Sequence, residues 1–380
     1  MKSIASAPAK IILFGEHFVV HGTKAILAAI DKRVTVTTTT TQKQTLKINS
    51  QLGTFEIPMY NDGEIGNRKD VQALTYAARR GVKDQQFARI KSEFRPFVYL
   101  VAALARIDME NRFALSNESE TLGLEITIDS DIPVGVGLGS SSACCVAAAA
   151  SLSAIFRMAI GKDRLEYLIK SFNTEGVLEE NETRSILNLA RLAEQTIFPD
   201  TSGADCAVCT YGGMIEYTNL KGDVPPYQTK EIDNTFDLNL LIANSMIPHN
   251  TKNSVEKVNK FKENDKERFS QLCDLETKLI DEVITAMKNN DATAFGLKMS
   301  ENQKYLEEIQ VSNDTLRDMI SSLEEISLGA KITGAGDGGC VIALIKDEDM
   351  DKVPALLPKD KECFSAKIDT RGVKWSKIEE

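Results

Sequence analysis

Apolar positions along the chain fall into short runs with two different periods. Residues 11–14, Ile-Ile-Leu-Phe, make an unbroken apolar run of strand length. Residues 34–40 are β-branched, Val-Thr-Val-Thr-Thr-Thr-Thr, and predict a further strand. Residues 122–128 alternate, and the strand they predict runs into glycines at 135, 137 and 139. Helices are predicted over 96–107, where Pro96 sits in a first turn that needs no N–H, and over 140–158, which is rich in alanine. Another is predicted over 182–197, where Ile186, Ala190, Ala193 and Ile197 recur at helical spacing. Residues 211–217 read as a turn and strand, 238–243 as a strand, and 253–325 as mainly helical. A strand with a glycine loop over 330–339, a strand over 340–345 and a strand-like tail over 363–373 complete the pattern.

The organisation is that of two domains, as 380 residues suggest. A polar, proline-bearing stretch at 222–226 places the boundary between domains 1–224 and 225–380, with the last strand expected to pack back on the first domain. Residues 61–95 read as a polar surface excursion containing helix. The net charge of −10 disfavours nucleic acid and anionic membranes as partners. The longest apolar run, 143–156, is broken by Ser151 and Ser153 and is too short to span a bilayer. No secretory signal is visible, so a cytoplasmic location is expected. The seven cysteines then read as reduced, buried thiols. Cys206-x-x-Cys209 lacks the second metal-spaced pair of a zinc site.

Three segments carry chemistry. The first runs from Pro133 through Gly135, Gly137, Leu138 and Gly139 to Ser140, Ser141 and Ser142. It joins a strand to a helix N-terminus, where free N–H groups and the helix dipole favour an anion. A tight strand-to-helix turn is the plainer alternative. The loop lacks the Gly-Lys-Ser/Thr ending of a Walker A loop, and no acidic residue ends a next strand as a dinucleotide fingerprint needs. The second, Ala7 to Gly22, gathers Lys10, Glu16, His17 and His21 around a short apolar strand. The third, Lys331-Ile-Thr-Gly-Ala-Gly-Asp-Gly-Gly339, is a loop that can wrap a ligand or simply turn the chain.

In their order and spacing the three segments resemble the galactokinase, homoserine kinase, mevalonate kinase and phosphomevalonate kinase superfamily. Pro8-Ala-Lys-Ile-Ile-Leu-Phe-Gly-Glu-His17, followed by Val-Val-His-Gly22, is similar to the mevalonate kinase family in particular. The resemblance implies a two-domain α/β (α+β) fold. Its N-terminal domain would be ribosomal protein S5-like and its C-terminal domain ferredoxin-like, with the active site in the cleft. It also implies an ATP-dependent enzyme converting (R)-mevalonate to 5-phosphomevalonate in isoprenoid biosynthesis. A sister kinase for phosphomevalonate or a sugar, or a non-catalytic metabolite sensor, are the alternatives.

The same resemblance implies residue roles. Asp205, in Thr201-Ser-Gly-Ala-Asp205, is the catalytic aspartate, and Lys10 pairs with it and with the transferring phosphate. The loop from Pro133 to Ser142 binds ATP. Ser141 and Glu194 ligate Mg²⁺, a cation that prefers hard oxygen donors. Glu194 lies beside an apolar helical stripe, where a cation would relieve a costly unpaired charge; an exposed glutamate beside Arg191 is the alternative. Glu16, His17, Ser202, Thr251, Gly334, Ala335 and Gly336 fall on the acceptor side. ATP and mevalonate are the implied partners, and a homodimer is left open. Asp337 departs from the family pattern, which has glycine there. Its carboxylate is expected to point away from the phosphates, capping a helix or turn.

Overall fold

A computed structural model describes residues 1–58, 89–104, 123–133, 135–160, 182–199, 201–219, 227–232, 238–248 and 251–378. Among them, the chain begins as a long antiparallel hairpin of β1 (Lys2–Phe14) and β2 (Lys24–Thr41). β1 is buried nearly throughout its second half, so the apolar run at 11–14 is only the end of a longer strand. β3 (Thr45–Ser50) and β4 (Gly53–Pro58) form a second hairpin, and β5 (Gly123–Ser130) pairs with both β2 and β3. β2 is long enough to serve two partners. Residues 34–41 bond to β5, while residues 24–28 bond to β6 (Met214–Asn219).

The helices lie against this sheet. α1 (Arg95–Leu104) is buried along nearly its whole length. α2 (Ser140–Ile160) packs on β1 and β2, and its alanines allow the close approach. α3 (Glu182–Glu194) and α4 (Ala204–Tyr211) pack on α2. α3 ends three residues before the expected 197. The chain turns there, and the N–H groups of Ile197 and Phe198 both bond to the Glu194 carbonyl. The continuation of α1 to 107, most of the 61–95 excursion and the 222–226 stretch lie outside the described residues.

The chain passes from the first sheet to the second between residues 232 and 240. β7 (Tyr227–Ile232) still pairs with β6 in the first sheet, and β8 (Leu240–Asn244) opens the second. The helical stretch then resolves into α5 (Thr251–Asn264), α6 (Lys266–Lys288), α7 (Ala292–Glu308) and α8 (Asp314–Leu323). Asp265, Asp291 and Asn313 cap three of them by accepting a backbone N–H three residues on. β9 (Ser327–Thr333), β10 (Cys340–Ile345) and β11 (Glu362–Ala366) complete a four-stranded antiparallel sheet in the order β11-β8-β10-β9.

The tail is not one strand over 363–373. It leaves the second sheet after Ala366 and bridges Ile30 through Ile368. It turns at Gly372, which has positive φ, and joins the first sheet as β12 (Lys374–Ile378) beside β1. The break has a polar cause. Asp369 is buried and spends its carboxylate on Arg33, whose guanidinium also donates to the carbonyls of Ser6 (2.8 Å) and Gly372 (2.7 Å).

Candidate active site

β1 carries Lys10 inward, and α4 carries Asp205 in its first turn. The two meet with the Lys10 Nζ 3.0 Å from the Asp205 carboxylate. The lysine is buried and the carboxylate is one-third exposed, so the pair opens to one side. The Lys10 N–H also donates to the Leu138 carbonyl (3.0 Å), which ties β1 to the glycine loop. Gly135, Gly137 and Gly139 all have positive φ. A Cβ at Gly139 would lie 2.5 Å from the Lys10 side chain, so only glycine lets the lysine pass. The loop ends in α2, whose first turn is Ser140, Ser141 and Ser142, and an N-terminus of that kind attracts anions.

The three serines differ. Ser142 is buried and its hydroxyl donates to Glu194 Oε1. Thr201 donates to Glu194 Oε2 (2.7 Å), and the Cys206 thiol approaches the same oxygen at 3.5 Å. Burial, and then the charge of Asp205, push the Glu194 carboxyl above the usual carboxylate range, while the three donors pull it back. Ser141 Oγ is buried with no hydrogen-bond partner. A partnerless hydroxyl near a buried carboxylate that also feels a second carboxylate suits a hard cation. Glu194 is thus a buried group and not an exposed neighbour of Arg191.

The turn after β1 carries Glu16 and His17. Gly15 and His17 both have positive φ, unusual for a histidine. The second half of the chain holds this turn. Lys331 of β9 pairs with Glu16, both fully buried, and the His17 Nε2 donates to the Ala335 carbonyl (2.9 Å). Burial pushes Glu16 up despite Lys331, and pushes Lys331 and His17 down. Phe18 packs in the second-half core, stacked on Phe269. Thr333 exchanges two 2.9 Å bonds with the Ile12 backbone, so β1 and β9 are stitched where their loops begin.

The third loop, Gly334 to Gly339, faces the first. A Cβ on Gly334 would sit 3.8 Å from the Gly137 carbonyl. Asp337, with positive φ, donates its N–H to the Val311 carbonyl (2.8 Å) and pairs its carboxylate with Lys257 of α5 at 2.7 Å. It points toward α5, and among the described residues its carboxylate pairs with Lys257 rather than with a backbone N–H. Thr251 is the exposed first residue of α5, and Ser254, one turn on, reaches the Gly336 carbonyl at 3.5 Å. Ser202 Oγ accepts the Ala204 N–H (3.3 Å), and its carbonyl accepts from the Tyr217 hydroxyl.

Several contributors carry no local signal. Ser142 on Glu194 and Lys331 on Glu16 emerge only when distant segments meet, and Thr201 reaches back to Glu194 across the turn that follows α3. Glu276 did have a signal, because it interrupts the apolar stripe of α6 at Phe269, Leu272, Leu279, Ile280 and Val283. The cysteines are all free: Cys206 and Cys209 are buried in α4, whereas Cys144, Cys273 and Cys363 are partly exposed, so the expectation of uniformly buried thiols is corrected.

Residues 99–213 match the model of the GHMP kinases N terminal domain, and residues 283–355 match that of the GHMP kinases C terminal. Mevalonate kinase of Aeropyrum pernix is 26% identical over 97% of both chains. Mevalonate kinase of Arabidopsis thaliana is 27% identical over 98% of this chain and 99% of its own. The fold superposes on a crystal structure of L. major mevalonate kinase in complex with R-mevalonate. The TM-score is 0.72 at 23% identity, covering 96% of this chain and 94% of that one.

Proposed function

The chain belongs to the GHMP kinase family, and from that premise we propose that it transfers the γ-phosphoryl group of ATP to the primary hydroxyl of (R)-mevalonate, giving ADP and 5-phosphomevalonate. The observation that carries this reading is the Lys10–Asp205 pair, 3.0 Å apart beside the glycine loop. Phosphoryl transfer asks a protein mainly for positioning and charge stabilisation. The N–H groups from Gly135 to Ser142 cradle the ATP phosphates. Asp205 orients the attacking hydroxyl and takes its proton. Lys10 neutralises charge that shifts onto the transferring group.

The residues present fit Mg²⁺, which Ser141 and Glu194 would hold and which would supply charge neutralisation at the phosphate oxygens. Glu16, His17, Ser202, Thr251 and the stretch from Gly334 to Gly336 form the acceptor side. Among the described residues no helix is long and apolar enough to cross a membrane, and a cytoplasmic enzyme is the reading in keeping with that. A coupled ADP-release assay across mevalonate, phosphomevalonate, homoserine and galactose tests the proposal. Mevalonate should be turned over well ahead of the other three. Preference for another acceptor would move the chain to a sister activity, and ADP release from none would make it a sensor.

A further inference from the structure

Glu276 is a buried carboxylate that the proposed chemistry does not use. It lies midway along α6 with both oxygens engaged. Oε1 accepts the Gly15 N–H at 2.9 Å, and Oε2 accepts from Asn302 Nδ2 of α7 at 2.7 Å. Four titratable groups face it: Glu16 on the turn, Lys331 on β9, Tyr305 on α7 and Cys273 on α6 itself. Lys331 is committed to Glu16 and to the Ile332 carbonyl (2.7 Å). Gly15 leads directly into Glu16 and His17.

We propose that Glu276 is a positioning residue for the acceptor: its charged carboxylate pins Gly15, and so fixes the turn that presents Glu16 and His17. This rests on the acceptor-side reading of that turn given above. A carboxylate holds an N–H about twice as strongly as a neutral group does. Burial, and then the charge of Glu16, raise Glu276 to about 7, so the grip tightens as pH rises through neutrality. Protonation has a defined consequence. Both partners of Glu276 are donors, so a neutral carboxyl fits only if Asn302 turns over and offers its Oδ1, which is buried without a partner. Glu276→Gln makes the same pattern permanent, one donor and one acceptor, and copies the low-pH state without a cavity.

The test combines kinetics with hydrogen exchange. In the wild type, KM for mevalonate should fall between pH 6 and 8. Glu276→Gln should show a pH-independent KM, about 3- to 10-fold above wild type at pH 8, with kcat and the KM for ATP within about twofold. An unchanged mevalonate KM, or equal losses in all three parameters, would assign Glu276 to the scaffold and overturn the proposal. Exchange at Gly15 reads the grip with no acceptor present. It should quicken modestly in Glu276→Gln, which keeps an acceptor but loses the charge, and further in Glu276→Leu; a Gly15 amide still protected in the leucine variant would also overturn it. If the wild type turns over another alcohol and not mevalonate, the acceptor reading fails, and the same comparison is made with that alcohol.

Discussion

Asp205 and Lys10 have unequal roles, because one meets the hydroxyl and the other the moving charge. Asp205→Asn should keep ATP binding and lower kcat by about 100-fold or more, as for a lost general base. Near-normal turnover would remove Asp205 from that role. Lys10→Met should lower kcat more than it raises either KM, since its charge matters most as the phosphoryl group moves. A change confined to KM would mean that it binds ground and transition states alike. Around Glu194 the prediction is finer. Ser142→Ala removes a hydroxyl that holds the carboxylate but leaves Ser141 untouched. The Mg²⁺ concentration for half activity should rise roughly tenfold, the usual scale for a lost group behind a metal ligand. Direct Mn²⁺ titration by electron paramagnetic resonance should show the same shift, and an unmoved titration would leave Ser142 a packing residue. Sequence alone could point to Ser140–Ser142 as a set. Which serine turns inward to Glu194 depends on α3 and on Thr201, and no local pattern encodes that.

At the scale of elements, the third loop shows how a departure from a family pattern is absorbed. Asp337 takes a backbone conformation suited to glycine, but its carboxylate finds Lys257 and its N–H finds Val311. The pair is half-exposed, through Lys257, and pairs that reach solvent are worth about 0.2–1 kcal/mol, so Asp337→Gly should change stability by about 1 kcal/mol and the KM for ATP by less than about threefold. A large gain in ATP affinity would show that the carboxylate repels nucleotide after all. Gly336 has no such latitude. A Cβ there would lie 2.1 Å from the Val311 carbonyl, so Gly336→Val must displace the loop, and kcat/KM should fall by about 100-fold or more. A variant that folds and turns over normally would deny the loop its place at the site. Elements with decisive composition could be read from the sequence: the alanine-rich α2 starts at residue 140 as expected, and the unbroken apolar run of β10 matches its predicted span. The ends were harder. α3 stops short at Glu194, where the chain must turn toward Thr201, and the tail splits because Asp369 is drawn to Arg33.

Across the whole molecule, the C-terminal tail is fastened to the first sheet by polar groups as well as by strand pairing. Arg33 joins β2 to Ser6 of β1, to Gly372 and to Asp369. Arg33→Ala would leave the buried Asp369 with only the exposed Arg371, 3.7 Å away, as a cation, which should cost about 3 kcal/mol in urea unfolding. A loss below about 1 kcal/mol would make the contact peripheral. The sequence hinted that the tail returns to the first domain but not how, since β12 is defined by its pairing with β1 and its five residues have no signature of their own. That pairing has a consequence for biosynthesis. β1 ends at Phe14 and its outer neighbour begins at Lys374, so the strand that bears Lys10 leaves the ribosome long before that neighbour does. During translation at about 5–20 residues per second, β1 waits many seconds with an open hydrogen-bonding edge, a standing invitation to strands of other nascent chains. Stalled chains that end before Lys374 should therefore be captured by chaperones and cut readily near Ser3 and Ala5, and release of a few more residues should close that window.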